Sequence, residues 1–464
     1  MGLTVTNVNT LSLLNILNKT TAAQSSSLTK LSTGFRINKG SDDPAGLLAV
    51  SSLSAELVAV DSAIGNSQRA NSVLNTADSA LGEVGNLLLE IESLAAASTS
   101  SGGLSAAEIS ANQQQIDNAI DAINRIVQTT SFNGKRLLDG SQAIKTSFST
   151  PANVSDLRVF SRPSSNSSQT FQVEVVTAGE VASATLATTA SVSAAQFSVT
   201  GALGTATITV SDSDALSAVA AKIVAAATET GVSATLSGTA LKLQSREFGS
   251  KAFVAASFIS GDTDFAGGVA QTTGVDAVVE VNGQRAFVDG VKVSFNSNGT
   301  SGSFTLTSTG NSAGDAGDIS ITDGGLTFQL GTTSTTQATV GVSALFAHNL
   351  GDSSVGYLST LKSGGSNSLS NDANNAVLIA KSAIGQVATQ RGRVGGFQKF
   401  QVETSINSLN ATKEALEGAR SVIRDVDYAL ETSELSKQNV LLQSAISLLG
   451  VAGQQSSQIL SLLR

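Results

Sequence analysis

The sequence predicts an α+β chain: a long antiparallel α-helical coiled-coil bundle built from the N- and C-terminal regions, carrying an inserted β-rich central region. Three patterns predict it. From Leu74 the positions Leu74, Ala77, Leu81, Val84, Leu88, Ile91 and Ala95 alternate three and four apart, the spacing that keeps a helix seam on one partner. Near the other end Val402, Leu409, Leu416, Ile423 and Leu430 recur every seventh residue, with Ser405, Thr412, Ala419, Val426 and Ser433 as a smaller row between them. These two seams are expected to be partners. Between about Ile144 and Val340 the helical period gives way to short alternating runs rich in Thr, Ser, Val, Ala and Gly.

Composition narrows the function classes. The chain has 464 residues, 41% of them apolar, enough for about two to four domains with real cores. Charged residues make up 14% and aromatics 4%, so polarity rests on Ser, Thr, Asn, Gln and Gly. A net charge of -9 without a basic stripe argues against nucleic acid as a partner. Without cysteine, no disulfide, thiolate metal site or thiol nucleophile exists, and the single histidine, His348, excludes a two-histidine zinc helix. No stretch reads as a membrane span, and MGLTVTNVNTLSLLNILN lacks the basic and uninterrupted apolar regions of a cleaved signal peptide.

Taken in order, both ends are uncharged: Met1–Asn18 and Gln438–Leu463 mix Leu, Ile and Val with Asn, Thr, Gln and Ser. A first helix from Leu11 to about Phe35 precedes a break at Gly34 and Gly40, after which Asp42 or Asp43 caps a helix opening on Pro44. Ser105 and Glu108 form a capping box for a third helix bearing Ile109, Ile116 and Ile123, ending near Thr130. Asn133-Gly134 and Asp139-Gly140 then supply positive-φ turn dipeptides, so the chain is expected to switch to a hairpin. Phe171–Val176 and Ala206–Val210 read as strands. Asp214 is expected to cap a helix through Thr228, and Val278–Phe295, with turns at Asn282-Gly283 and Asp289-Gly290, reads as a three-stranded meander.

An uncharged amphipathic end buries too little surface alone to offset its ordering entropy. Copies of the same end can supply the missing core, with Gln, Asn and Ser hydrogen-bonding at less cost than buried charges. A head-to-tail contact that does not close then yields an open helical filament.

LSTGFRIN followed by SDDPAGL resembles the N-terminal signature of bacterial flagellins. NSVLNTADSALGEV, TSFNGKRLLDG and TSINSLNATKEALEGARSVIRDVDYALETSELSKQNVLLQSAISLLG resemble further segments of that family in the expected order. The resemblance covers residues 1–142 and 373–464 and leaves the middle unmatched. It implies a structural subunit, not an enzyme and without a cofactor, polymerising with itself into the extracellular flagellar filament for swimming motility. Residues 1–44 with 436–464 would form the filament core, 45–142 with 373–435 a helical shell, and 143–372 an outer region of one or two subdomains. Export through the flagellar apparatus, a cytoplasmic export chaperone, a filament cap and hook-filament junction proteins are further implied partners.

On this reading Arg36, Lys39, Asp42 and Asp43 lie where core meets shell, and ion pairs between subunits there set register more than strength. Glu90 and Glu92 stand where many flagellins recognised by the vertebrate innate flagellin receptor carry arginine, which predicts weak or absent activation. Alternatives are a hook-filament junction protein and a secreted binding module or hydrolase carried by the centre. Other chemical signals are weak. Ser27 and Lys30 fit S-x-x-K without its companion motifs, and Asp262 and Asp264 lack the glutamate that closes a calcium loop. His348 has no ligand set around it and is read as a loop or partly buried histidine. The serines of Ser164–Ser168 are glycan acceptors or mere solvation. No catalytic, cofactor or metal residue is assigned.

Overall fold

The computed structural model describes residues 8–99, 103–163, 168–187, 194–212, 214–238, 240–261 and 268–462. Asp262, Asp264 and residues 164–167 lie outside them. Eight α-helices are present among the described residues: α1 (Val8–Thr33), α2 (Pro44–Ser98), α3 (Ala106–Thr129), α4 (Leu216–Ala225), α5 (Ala227–Thr230), α6 (Leu369–Phe397), α7 (Thr404–Arg424) and α8 (Tyr428–Leu462). The chain divides into two compact units, one of residues 1–65 and 406–464, the other of residues 66–405.

In the first unit α1 and α8 run antiparallel, as a ladder of contacts shows. Gln24 Nε2 donates to Asn439 Oδ1 at 2.7 Å, Lys30 meets Glu431 at 3.7 Å, and Phe35 bridges to Asp425. Further along, Lys413 pairs with Asp61 at 2.8 Å, joining α7 to α2 within this unit.

The helical part of the second unit is where the heptad reading succeeds most fully. Leu74, Ala77, Leu81, Val84, Leu88, Ile91 and Ala95 are all at 0% exposure. Ile116, Ile120, Ile123 and Val127 of α3 and Ile379, Ala383 and Val394 of α6 are buried as well. Arg391 donates to Asp78, and Gln398 reaches both Asn71 and Asn75, so this part of α2 runs antiparallel to α6. Helix α3 starts on the expected box: Ser105 N–H donates to Glu108 Oε2 at 2.7 Å, and Glu108 N–H donates back to Ser105 Oγ. α6 breaks at Asp372, whose Oδ1 accepts the Asn375 N–H and restarts the helix. After Phe397 the helix widens into a π-helical turn, Gln398–Glu403, that buries Val402. The second seam is only partly buried: Leu409, Leu416 and Ile423 are half-buried, and Leu430 is exposed.

The centre is strand-rich, as expected, and is nested. A five-stranded and a six-stranded antiparallel sheet share one core that includes Phe171, Val173, Val279, Phe295, Phe304 and Ile319. Between the strands Gln169–Thr177 and Val278–Val281 the chain inserts a second body. There a four-stranded sheet, a three-stranded sheet and α4 enclose Phe197, Val199, Ile223, Leu243 and Val254. Asn133 and Gly134, both at positive φ, turn the predicted hairpin between Ser131–Phe132 and Lys135–Arg136. At Asp139-Gly140 only the glycine has positive φ, and Asp139 instead accepts the Ser141 N–H, so this pair forms no second hairpin of that kind.

Three expectations are corrected. Val278–Phe295 is not one meander: Val278–Val281 pairs with Gln284–Arg285 in the five-stranded sheet, and Phe287–Asp289 pairs with Lys292–Ser297 in the six-stranded sheet. The chain changes sheets at Ala286, as strands do at the corners of packed sheets. Asp214 does not cap α4; its carboxylate accepts from Ser211 N–H and from Lys222 Nζ at 2.7 Å. Finally, α2 holds a window long and apolar enough by composition to cross a bilayer, where the sequence reading found none. This same helix carries the buried seam, and a soluble core helix meets that test equally well.

Candidate assembly surface

The turn between α1 and α2 is built by residues each with a definite task. Gly34 ends α1 at φ +75°, and its N–H donates to the Lys30 carbonyl at 2.9 Å, a left-handed cap. Arg36 N–H donates to the Arg424 carbonyl at 2.6 Å and Val426 N–H donates to the Gly34 carbonyl, so the turn pairs with the one joining α7 to α8. The Arg36 guanidinium donates to the Ile423 carbonyl, where a cation suits the C-terminal end of α7. Arg424 in turn lies over the Phe35 ring at 3.8 Å.

The two aspartates divide the capping work that the sequence left open between them. Asp43 Oδ1 accepts the Gly46 N–H at 2.9 Å and caps α2. Asp42 Oδ2 accepts from the Lys39 and Asn38 amides at 2.9 and 3.0 Å, and these bonds hold its carboxyl below the ordinary value. Of the four residues predicted to set register, Arg36, Asp42 and Asp43 are thus engaged within the chain. Lys39 is exposed and its ammonium makes no bond to any described residue.

Around this turn lie helix faces with nothing apolar to cover them. Leu11, Ile16 and Leu28 on α1 are about half exposed, as are Ile446, Leu448 and Val451 on α8. Leu48, Val58, Val422, Leu430 and Val440 are more exposed still, and α7 has no buried residue at all. Burying a half-exposed aliphatic side chain yields about 1 kcal/mol. Summed over these rows the gain is on the order of 10 kcal/mol, comparable with the rigid-body cost of association. Carboxylates and ammoniums are absent from residues 8–18 and 438–462, so contact there would desolvate almost no charge.

Elsewhere, Glu90 is exposed and Glu92 half-buried on α2, beside the exposed Leu89. Ser27 is buried, and Lys30 is held by Glu431. His348 is exposed and stacks on Phe346 at 5.5 Å. What the sequence reading missed is the partner turn Arg424–Asp427. Its signal was present: Asp427 caps α8 by accepting the Ala429 and Leu430 amides, so a capping aspartate directly precedes the helix whose later part, from Gln438, is uncharged.

Paired terminal helices with long, uncharged, uncovered apolar faces define a structural protein that assembles with copies of itself. Comparison with known proteins bears on which one. Residues 5–143 match the bacterial flagellin N-terminal helical region, and residues 377–463 match the bacterial flagellin C-terminal helical region. The chain is 28% identical to a flagellin of Clostridium tyrobutyricum, across 93% of this chain and 94% of that one. It is also 28% identical to flagellin B of Vibrio cholerae and 25% identical to a flagellin of Bacillus subtilis, in both cases across 99% of this chain and 98% of the relative. The chain belongs to the bacterial flagellin family and is a structural subunit of the flagellar filament.

Proposed function

We propose that residues 1–44 with 436–464 form the filament core, that 45–142 with 373–435 surround it, and that 143–372 face outward. The observation that carries this reading is the set of uncovered apolar rows on α1, α7 and α8. Identical helices from neighbouring subunits cover them, and Arg36, Lys39, Asp42 and Asp43 set the register between subunits. Of these, the free ammonium of Lys39 has charge to spare for a neighbour. The test is seeded polymerisation of the intact chain beside a variant lacking residues 1–18 and 438–464. Long filaments from the intact chain only are expected; equal filaments from both would remove the ends from the mechanism.

The same reading extends to passage through the flagellar export apparatus, with a chaperone on the C-terminal segment, a cap at the growing tip and junction proteins at the base. The subunit works by assembly and not by catalysis. Glu90 and Glu92 present negative charge on α2, and we expect purified monomer to activate the vertebrate innate flagellin receptor weakly. Strong activation, or no gain on converting both to arginine, would refute that expectation.

A further inference from the structure

Between the six-stranded sheet and α6 lies a cavity of about 550 Å³, opening to solvent. Four cations line it: Arg158, Lys292, Lys381 and Arg393. The carboxylates on its wall are already committed. Asp289 pairs with Lys251 at 2.6 Å; Asp352 accepts from Ser354 and Ser382 and pairs with Lys292 at 3.4 Å; Asp156 lies 3.9 Å from Arg158. That leaves positive charge over.

Arg393 is the clearest surplus. It is half-buried, its guanidinium lies 3.2 Å from the Phe160 ring centroid, and none of its five N–H donors has a hydrogen-bond acceptor among the described residues. Burial, and then the neighbouring Arg158, pull its pKa down to about 10. Stacking on an aromatic face fixes the plane of the fork and leaves its edge free to grip two oxygens at once. The Lys381 ammonium is likewise without a partner among the described residues. The hydroxyls of Ser294, Ser303 and Ser343 on the same wall make no hydrogen bond to any described residue.

We propose that this cavity binds a small hydroxylated oxyanion, a sugar carboxylate or a sugar phosphate, with Arg393 and Lys381 holding the charged group and the serine hydroxyls the ring. Phe160 orients Arg393, and Arg158 stands behind it as a second cation that an anion would quieten. Neutral sugar lacks the group that both free cations need.

Calorimetric titration of the full-length monomer tests this, with glucuronate, glucose 6-phosphate, inorganic phosphate and glucose as separate titrants. Saturable binding of glucuronate or glucose 6-phosphate is expected, none of glucose, and whichever anion binds identifies the source of the charge. Arg393→Gln should weaken binding by about tenfold or more, the loss of one charge-assisted pair. Lys381→Gln should weaken it severalfold; being exposed, this position tests the idea even if the arginine variant unfolds. The proposal is overturned if neither sugar anion saturates, if both variants bind as the parent does, or if inorganic phosphate binds as tightly as the sugar anions.

Discussion

Single side chains decide how the turns of this protein are held, and two positions show it. Asp43 caps α2, so changing it alters the helix before it alters any neighbouring subunit. Lys39, whose ammonium is unbound, is the cleaner probe of register. Lys39→Glu should leave the monomer's helicity intact and change the helical form or yield of filaments; filaments of unchanged form and yield would refute a register role for this residue. Asp276 ties a different turn: its carboxylate accepts Ser250 Oγ at 2.6 Å, Ser250 N–H at 3.0 Å and Gly290 N–H at 2.9 Å. The Ser250 hydroxyl bond, followed by the two amides, keeps its pKa below the ordinary value despite some desolvation. A carboxyl depressed in the folded state contributes stability above its unfolded pKa and loses it as pH falls through the folded one. Asp276→Asn should therefore cost about 1 kcal/mol at neutral pH, after allowance for partial exposure, and nothing in strong acid. Denaturation curves across the acid range of pH check it, and a cost that persists in acid would contradict the assignment.

At the scale of elements, the seam of α2 gives the firmest expectation. Leu81 is fully buried, so Leu81→Ala should destabilise the monomer by about 2–5 kcal/mol, read as a lowered denaturant midpoint at constant slope. A loss below about 0.5 kcal/mol, the range of a surface change, would mean that the seam does not carry the bundle. The seam was legible because heptad spacing is a local property: the seven positions from Leu74 to Ala95 name their own buried face. So was the capping box at Ser105, which needs only four consecutive residues. What was not legible depends on distant partners. The strand reading of Val278–Phe295 found the turns at Asn282 and Gly290, yet which sheet each strand joins is set by Gln169–Thr177 on one side and Thr300–Leu306 on the other. Asp214 reads as a cap until Lys222, two helical turns on, claims its carboxylate. The anion cavity was invisible for the same reason, since Arg158 and Arg393 approach only when sheet and helix are both in place.

For the whole molecule, the half-buried second seam and the exposed terminal rows fit the proposed assembly, in which the chain supplies one side of a contact whose other side is another chain. Leu409, Leu416 and Ile423 carry as regular a heptad as the N-terminal seam but remain half-buried, and Leu430, beyond the turn that separates α8 from α7, is exposed. In the single subunit, replacing an exposed residue costs little, within about 0.5 kcal/mol. In the polymer the same change removes apolar burial at every repeat of the contact. The double variant Val440→Asn with Leu448→Asn should thus unfold at the parent's denaturant midpoint yet require a several-fold higher monomer concentration to elongate seeds, since each lost burial is worth about 1 kcal/mol. The driving force being apolar, sulfate should favour elongation of the parent more than its ionic strength alone explains, whereas interfaces made of ion pairs weaken as salt rises. Light scattering across a sulfate series and a matched chloride series separates the two. Elongation that slows equally in both salts would assign the contact to charge, and an unaltered critical concentration in the double variant would place the polymer interface away from α8.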